Sequence, residues 1–372
     1  MQLDIAVLGG DGIGPEVVAQ ALKCLRSVEE TFGHNFKFTQ ALVGAEAIDK
    51  KGTPLPEDTL KICKNSEAVL FGAIGMPKYD GNPDSKIWPE QGLLRLRKEL
   101  DLFANIRPVK VFPALIKQSP LNKKVVRDTD LVIYRELSGG IYYGEKTTDS
   151  GTNIATDTCS YSEGEISRIT HLAFKAAKNR RKKVTLVDKA NVLETSRLWR
   201  RVVNSISQSY PDIELETLFI DNAAVQMILN PKQFDVILTD NMFGDILSDQ
   251  GSVIAGSIGL LPSASVGMEY AMFEPIHGSY PNAKDKNIAN PVAAILSVAM
   301  LLQHFKLIEE SNAVVAAVLK SFSKKIVTPD IMGSSKYGTD YVGDFIADNI
   351  MELDDDFNMN DENIDLGKST II

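Results

Sequence analysis

The stretch that most constrains the fold is a short apolar run that passes directly into a helix. Residues 234–240 (Phe-Asp-Val-Ile-Leu-Thr-Asp) have the apolar, β-branched composition of a buried parallel strand. The residues that follow, through Ser257, carry apolar side chains at helical spacing. Strand-like and helical segments alternate in this way along most of the chain. The alternation predicts an α/β fold with a largely parallel central sheet.

The helix after this strand brings two acidic side chains together. Asp245 and Asp249 are four residues apart, so they share one helical face with about 5–6 Å between their Cβ atoms. Two carboxylates on one face repel each other, and a hard divalent cation such as Mg²⁺ or Mn²⁺ relieves that repulsion. The alternative is that acidic residues in a first helical turn only stabilise the helix dipole.

Chain length and charge limit the classes of protein that fit. At 372 residues the chain is long for one hydrophobic core, and two domains are expected. The net charge of −9 argues against a nucleic-acid partner. Residues 351–372 contain seven acids and one base, so this end is predicted to be a disordered acidic tail.

Cysteine usage and hydropathy favour a cytoplasmic protein. The cysteines are three and well separated in sequence, which predicts reduced thiols and offers no zinc motif. The N-terminus has no basic segment and is predicted to be a strand, not a signal peptide. The longest apolar segment, residues 291–302, is too short to cross a bilayer and is predicted to be a buried core helix, so no membrane partner is expected.

Three loops have the composition of ligand-binding segments. The first strand is followed by a glycine-rich turn with Gly10, Gly12 and Gly14, which differs from the dinucleotide fingerprint G-x-G-x-x-G. Such a turn either brings backbone amides to a phosphate or ribose, or is only a tight connection. The loop at 75–90 has a length typical of functional loops. The loop at 277–279 (His-Gly-Ser) is either a turn or a contact for an adenosine group.

The helix predicted from residue 90 presents a carboxylate, two leucines and a guanidinium on one face, namely Glu90, Leu93, Leu94 and Arg97. This face suits a ligand with an alkyl group beside a carboxylate, unless the leucines are ordinary core and the charges are solvated. Arg107 and Arg135 lie in extended segments, where arginines either bind carboxylates through two parallel hydrogen bonds or make surface ion pairs.

Further polar residues follow predicted strands. Lys189 and Asp221 each come directly after one, and Asp245 and Asp249 lie in the helix that follows another. Ligands gather at the carboxyl ends of strands in open α/β sheets, so these side chains are candidates to converge, with the lysine as an acid–base group. Sequence order leaves that convergence open. Residues 141–160 are Thr-rich and polar and are predicted to form an exposed hairpin able to pair with another chain.

Six segments together resemble the family of β-hydroxyacid oxidative decarboxylases, which includes the isopropylmalate, isocitrate, homoisocitrate and tartrate dehydrogenases. They span about residues 3–345. They are Gly10-Asp-Gly-Ile-Gly-Pro-Glu16, Leu102-Phe-Ala-Asn-Ile-Arg-Pro108, Arg135-Glu-Leu-Ser-Gly-Gly-Ile-Tyr-Tyr-Gly-Glu145, Asp188-Lys-Ala-Asn-Val192, Asn241-Met-Phe-Gly-Asp-Ile-Leu-Ser-Asp249 and Glu274-Pro-Ile-His-Gly-Ser279. Within this family Glu90-Gln-Gly-Leu-Leu94 resembles the members that act on 3-isopropylmalate, whereas the isocitrate enzymes have serine and asparagine in this region.

The resemblance implies a two-domain fold distinct from the Rossmann type. Residues 1–102 and 256–350 would form the cofactor-binding domain, and residues 103–255 the substrate and dimerisation domain. The enzyme would be a homodimer in which Lys189 and Asp221 reach the partner's site and the 141–160 hairpin joins the subunits. It would oxidise and decarboxylate (2R,3S)-3-isopropylmalate to 4-methyl-2-oxopentanoate and CO₂, in leucine biosynthesis, with NAD and Mg²⁺ or Mn²⁺.

The resemblance also implies a role for individual residues. Lys189 would relay the hydroxyl proton, and Tyr142 would protonate the enolate. Asp221, Asp245 and Asp249 would bind the metal. The substrate would contact Leu93, Leu94, Arg97, Arg107, Arg135, Val192 and Asp221. NAD would contact Ile13, Gly75, Glu90, His277, Gly278, Ser279, Asn282 and Asn290.

One departure concerns the cofactor. NAD-specific members of the family usually have aspartate where Asn282 stands, and a carboxylate there repels the 2′-phosphate of NADP. Asn282 keeps the hydrogen bond to the ribose without the charge, so NAD remains the expected cofactor with weaker exclusion of NADP. The alternatives are a sibling enzyme acting on D-malate, tartrate or homoisocitrate, and a non-catalytic regulatory subunit.

Overall fold

A computed structural model describes residues 1–80, 87–149 and 151–351. The predicted acidic tail therefore lies outside the described residues except for Met351, as does part of the 75–90 loop. The strands are β1 Gln2–Gly10, β2 Asn35–Gln40, β3 Ala68–Ala73, β4 Ala104–Lys110, β5 Asp130–Glu136, β6 Lys146–Asp149, β7 Ile154–Asp157, β8 Lys183–Asp188, β9 Glu214–Phe219, β10 Val236–Thr239, β11 Pro262–Val266 and β12 Ala271–Pro275. The helices are α1 Gly14–Phe32, α2 Gly44–Lys51, α3 Glu57–Lys64, α4 Pro77–Asp80, α5 Glu90–Glu99, α6 Lys123–Val126, α7 Glu163–Lys178, α8 Glu194–Ser207, α9 Ile220–Leu229, α10 Asn241–Ala255, α11 Val292–His304, α12 Ile308–Ser323 and α13 Thr339–Ala347.

Ten of these strands form one sheet in the order β2-β1-β3-β12-β11-β4-β5-β10-β8-β9. Six of the nine pairings that the described residues make in it are parallel, and the antiparallel ones all involve β11 or β4. This confirms the predicted α/β fold with a largely parallel central sheet.

The strand order separates the sheet into two groups. The strands from β2 to β11 come from residues 1–102 and 256–350, and the strands from β4 to β9 come from residues 103–255. The two groups meet where β11 pairs antiparallel with β4. The division into two domains at these boundaries stays a prediction, and the strand order agrees with it.

The segment at residues 234–257 folds as a strand followed by a helix, as predicted. All four residues of β10 are buried, and Asp240 then caps α10 by accepting a hydrogen bond from the Phe243 N–H at 2.8 Å. The strand begins at Val236, two residues after the start of the apolar run, and the Asp235 carboxylate accepts a 2.8 Å hydrogen bond from Arg180. The predicted core helix is α11, whose residues are buried from Val292 to Gln303.

The segment predicted to be an exposed hairpin contains β6 and β7. These strands pair antiparallel with each other, form a sheet separate from the large one, and are exposed at every residue. No helix within the described ranges is long and apolar enough to cross a membrane.

Candidate active site

Three arginines meet in one cavity of about 320 Å³, which we call the arginine cavity. Arg107 projects from β4, Arg135 from the neighbouring β5, and Arg97 from α5. The cavity is lined by Phe71, Gly72, Ala73, Ile74, Glu90, Leu93, Leu94, Arg97, Arg107, Arg135, Tyr142, Asp245, Glu274, Pro275, Ile276, His277 and Gly278. All three guanidinium groups are buried, so each needs partners inside the protein.

Arg107 and Arg135 share one carboxylate. Both donate to Oδ1 of Asp245, Arg107 at 3.3 Å. Arg135 also donates through Nε to Asn241 Oδ1 at 2.9 Å, and Arg107 donates to Ser248 Oγ at 2.6 Å. Burial and the guanidinium of Arg135 lower the pKa of Arg107 to about 10, so both arginines remain cationic at neutral pH. Two cations share this one hydrogen-bonded anion, so the side of the cavity next to Asp245 has local positive charge that suits an anionic ligand.

Arg97 is paired on the opposite wall. It donates to Glu274 Oε1 at 2.8 Å, and Ser265 Oγ donates to the same oxygen at 3.3 Å. The pair is buried on both sides, with side chains 9% and 7% exposed. Its Nε is buried and has no hydrogen-bond partner among the described residues. An unsatisfied buried donor of this kind is a position that a ligand oxygen can occupy.

Tyr142 lies against the shared carboxylate. Its hydroxyl donates to Asp245 Oδ2 at 3.0 Å. Burial opposes ionisation of Asp245, but Arg135 and Arg107 outweigh it and lower the pKa of this carboxyl. Burial and the negative charge of Asp245 raise the pKa of Tyr142. The tyrosine therefore keeps its proton at neutral pH, as a general acid must.

One wall of the arginine cavity is apolar. Leu93 and Leu94 are half-buried on α5, and Ile74 and Ile276 complete the apolar lining. The leucine pair and Arg97 occupy the same cavity as the sequence predicted, so a carboxylate and an alkyl branch can be bound side by side.

A second cavity of about 220 Å³ adjoins the first, and we call it the His277 cavity. His277 and Gly278 line both cavities. Ile13 and Asn290 also line the second one, with Ser257, Ile258, Gly259, Tyr280, Ile288, Ala289 and Asp330. A long ligand can therefore extend from one cavity into the other.

His277 is the imidazole that lines both cavities. Its Nδ1 lies 3.0 Å from the Gly278 carbonyl oxygen, and its buried Nε2 has no partner in the described part of the chain. Burial lowers the pKa of this imidazole, which is neutral at pH 7. Asn282 is exposed in the single turn Pro281–Ala283 further along the same loop.

The glycine-rich turn at residues 10–14 contacts both the 75–90 loop and the loop that begins at His277. The Ile13 N–H donates to the Ser279 carbonyl at 2.8 Å. Gly12 has a φ of +58°, and a Cβ there would lie 1.9 Å from the Ser279 carbonyl oxygen. A Cβ at Gly75 would approach Glu90 Oε1 and Ser279 Oγ to 3.1 and 3.3 Å, so the predicted cofactor residues on separate loops are neighbours.

Lys189 and Asp221 lie apart from both cavities. They pair with each other at 2.8 Å, their side chains are 27% and 68% exposed, and neither lines a cavity wall. Val192 is also exposed. The hydrogen bond from Lys189 lowers the pKa of Asp221. Convergence of this pair with Asp245 and Asp249 therefore does not occur among the described residues of a single chain.

The chain is similar in sequence to a known enzyme family. A sequence model described as isocitrate/isopropylmalate dehydrogenase matches residues 4–346. The chain belongs to the isocitrate/isopropylmalate dehydrogenase family.

Relatives agree over nearly the whole length. The chain is 52% identical to the 3-isopropylmalate dehydrogenase of Aquifex aeolicus over 94% of this chain and 98% of that protein, and 51% identical to that of Bacillus subtilis over 91% and 94%. The isocitrate dehydrogenase structure from Methylococcus capsulatus matches with a TM-score of 0.84 at 33% identity, covering 94% of this chain and 99% of that one. The predicted family and fold are confirmed, and with them a decarboxylating dehydrogenase.

Enzymes of this kind need a nucleotide cofactor and a divalent metal, and the metal site can be tested against the residues present. Asp245 and Asp249 supply hard oxygen ligands one turn apart on α10. Burial and the charge of Asp245 raise the pKa of Asp249, the repulsion that a cation would relieve. Within the described ranges, however, no three His, Cys, Asp or Glu side chains are grouped closely enough to hold a metal ion. The described residues of one chain therefore offer two carboxylate ligands for a cation, Asp245 and Asp249.

The sequence motifs did not single out two buried acidic residues, Glu274 and Asp11. Glu274 was noticed only as part of a motif, although it is the buried partner of Arg97. Asp11 lies inside the glycine-rich turn and is 4% exposed. The available signal was the same for both: an acidic residue within an otherwise apolar or glycine-rich segment needs a partner.

Proposed function

We propose that this protein catalyses the NAD-dependent oxidative decarboxylation of (2R,3S)-3-isopropylmalate to 4-methyl-2-oxopentanoate and CO₂, a step of leucine biosynthesis. The observation that carries the proposal is the arginine cavity, where three buried guanidinium groups, a protonated tyrosine and a pair of leucines surround one space. The 3-isopropylmalate dehydrogenases named above, at about half identity, support the same substrate.

The substrate has two carboxylates and an isopropyl branch. We assign Arg107 and Arg135, which both donate to Asp245, to one end of it, and Arg97, whose Nε has no partner among the described residues, to a carboxylate oxygen. Leu93 and Leu94 receive the branch, joined by Val192 of a second copy. Burying such a branch is worth about 1–3 kcal/mol, which limits selectivity over unbranched malate to roughly 10–200-fold.

Asp245 and Asp249, with Asp221 of a second copy, would hold Mg²⁺ or Mn²⁺. The cation, when bound, supplies Lewis-acid polarisation of the substrate oxygens. NAD⁺ would contact Ile13, Gly75, Glu90, His277, Gly278, Ser279, Asn282 and Asn290, and it supplies the hydride acceptor. The free Nε2 of His277 and the adjoining cavities support this assignment.

Protons move through two side chains. Lys189 of a second copy, as the neutral amine, would accept the proton of the C2 hydroxyl as the hydride leaves C2 for the nicotinamide. CO₂ then leaves from the β-carbon, whose electron pair becomes an enolate. Tyr142 would donate its proton to that carbon, and the raised pKa of this hydroxyl keeps the proton available until then.

The proposal requires a homodimer, and exposed apolar residues support one. Val225 and Leu229 on α9, and Ile246 and Val253 on α10, are 42–63% exposed. The two helices pack together, with Gln250 donating to the Ala224 carbonyl at 2.6 Å. These helices also carry Asp221, Asp245 and Asp249, so covering their apolar residues with a second copy would bring the metal ligands together. The β6–β7 hairpin would form a further subunit contact.

The test is NADH formation by purified protein with 3-isopropylmalate and Mg²⁺, run beside NADP⁺ and beside D-malate, tartrate and homoisocitrate. The proposal expects NAD-linked turnover that is fastest on 3-isopropylmalate. A clear preference for another acid would transfer the protein to a sibling activity. No NADH with any of these acids would instead indicate a regulatory subunit.

A further inference from the structure

The carboxylate of Asp11 is buried at the meeting point of three segments. Its oxygens accept N–H hydrogen bonds from Ala45 at 2.8 and 3.0 Å, from Glu46 at 3.3 Å and from Gly75 at 3.0 Å. Every hydrogen-bond partner found for this carboxylate among the described residues is a backbone N–H. A buried anion is costly unless donors surround it, so these amides are held where the carboxylate requires them.

The segments that Asp11 joins belong to different parts of the chain. Ala45 and Glu46 are in the first turn of α2, whose N-terminus carries partial positive charge. Gly75 follows β3 and begins the 75–90 loop. Packing around the carboxylate is tight, since a Cβ at Gly44 would lie 2.5 Å from Asp11 Oδ2. The carboxylate therefore connects α2 to the segment after β3.

The backbone of the same turn connects to a third segment. The Asp11 N–H donates to the Ala73 carbonyl at 2.7 Å, and the Ile13 N–H donates to the Ser279 carbonyl at 2.8 Å. Ile13, Gly75 and Ser279, all assigned to NAD above, are thus arranged around Asp11. None of the Asp11 carboxylate contacts is needed by the metal, the arginines or Tyr142.

We infer that Asp11 is a positioning residue for the dinucleotide: its carboxylate fixes Gly75 relative to Ile13 and Ser279, so that the site is formed before NAD⁺ binds. The inference rests on the proposed function and deepens it by assigning a determinant of cofactor affinity that does not itself touch the cofactor. A preformed site avoids the cost of ordering the loops at the moment of binding.

Asp11→Asn tests the assignment with almost no change of shape. Both oxygens accept N–H groups, so either orientation of the amide places an NH₂ against Gly75 or against the first turn of α2. The Kd for NAD⁺, measured by calorimetry without substrate, should rise roughly tenfold or more, since a charge-assisted bond is replaced by two opposed donors. The KM for NAD⁺ should rise equally, with kcat at saturating NAD⁺ and the KM for 3-isopropylmalate within about twofold of the unaltered protein.

Thr59→Val is the matched control. Thr59 is 3% exposed and donates to the Leu42 carbonyl at 2.7 Å, which braces the entrance to α2 without contacting the Gly75 segment. The control should lower the melting temperature and leave the Kd for NAD⁺ unchanged. A loss of NAD⁺ affinity equal to that of Asp11→Asn would mean that general loosening of α2 causes the effect, and would overturn the inference.

Hydrogen exchange in the unaltered protein provides a measurement that needs no variant to fold. The amides of Ala45, Glu46 and Gly75 should already exchange slowly without NAD⁺, because the Asp11 carboxylate accepts their hydrogens in the preformed site. Fast exchange at these amides until NAD⁺ is added would contradict the inference, as would normal NAD⁺ affinity of Asp11→Asn. If the unaltered protein fails to bind NAD⁺, the proposed function falls and the inference with it, a result distinct from failure of the variant alone.

Discussion

A single chain forms the arginine cavity, whereas its Lys189–Asp221 pair lies outside that cavity. In the cavity, Arg107 and Arg135 are buried, share Asp245, and are fixed further by Ser248 and Asn241. The Lys189–Asp221 pair is partly exposed and lines neither the arginine cavity nor the His277 cavity. Under the proposed function, this difference means that one chain preorganises substrate binding, whereas a second copy supplies the proton relay and the third metal ligand.

The largest expected effect comes from mixed dimers, which test whether Lys189 acts in the cavity of a second copy. Lys189→Ala and Tyr142→Phe should each lower turnover by roughly 10²–10⁴-fold, since each removes an acid–base group. If Lys189 serves the cavity of the second copy, a dimer with one chain of each variant has one intact site. An equal mixture re-formed by random exchange should then recover about a quarter of the unaltered activity.

Recovery of activity is measured as NADH formation after exchange, with each variant alone as the control. No recovery, despite heterodimers seen by mass spectrometry, would place Lys189 and Tyr142 at the same site of one chain.

Arg135 is buried in the arginine cavity, so we expect Arg135→Lys to lower activity strongly. Lysine lacks the planar fork that lets Arg135 contact Asn241 and Asp245 together, so kcat/KM for 3-isopropylmalate should fall about 10²-fold. Arg95→Lys is the matched control, since Arg95 is on the same helix as Arg97 but pairs with Glu57 at the surface. Its kcat/KM should be unchanged, and a similar loss in both variants would contradict a special role for Arg135.

The apolar wall of the cavity gives a smaller effect. Replacing Leu93 by Ser and Leu94 by Asn should lower the preference for 3-isopropylmalate over D-malate by roughly 10–200-fold, because an alkyl branch loses its apolar contact. The ratio of the two kcat/KM values is the measurement. Equal losses on both acids would show that the leucines act only as core.

The smallest effect concerns stability and pH. Burial raises the pKa of Asp240 to about 7, well above the ordinary value, so the folded chain holds this proton more tightly than the unfolded chain. The free energy of unfolding should therefore fall as pH rises from about 4 to 7. Asp240→Asn keeps a good helix cap and removes this dependence, so its stability relative to the unaltered protein should rise on the order of 2 kcal/mol between pH 5 and 8.

Denaturant unfolding at several pH values would measure this difference. Asp221→Asn is the contrasting variant, because Lys189 lowers the pKa of Asp221 and the pH trend should have the opposite sign. A difference for Asp240→Asn that does not change with pH would mean that this carboxyl titrates normally.

How far the sequence predicted the structure depended on the range of the interactions. The strand-to-helix transition at Asp240, the buried helix α11 and the shared face of Leu93 and Arg97 follow from local periodicity, and the structure has all three. The roles of the site residues came from the resemblance and stay predictions. Neither source distinguishes a residue buried by its own chain from one that a second copy must cover.

Local sequence patterns did not predict which side chains make contacts between distant parts of the chain. Glu274 pairs with Arg97 across 177 positions of sequence, and Asp11 reaches Gly75 across 64. No periodicity records such contacts, because they arise only when β12, α5 and the glycine-rich turn meet at one end of the sheet. A polar residue in an apolar or glycine-rich run shows that a partner is needed, without showing which one.

The order of strands also governs how the chain assembles. β3 is buried at all six residues, yet its neighbour β12 is synthesised about two hundred residues later. Until β11 and β12 emerge, β3 and β4 each have an unpaired hydrogen-bonding edge of the kind that promotes aggregation. The β11–β12 hairpin pairs with both edges in one step. Chains truncated before Pro275 should therefore aggregate and remain incompletely folded, and the full chain should complete its sheet late.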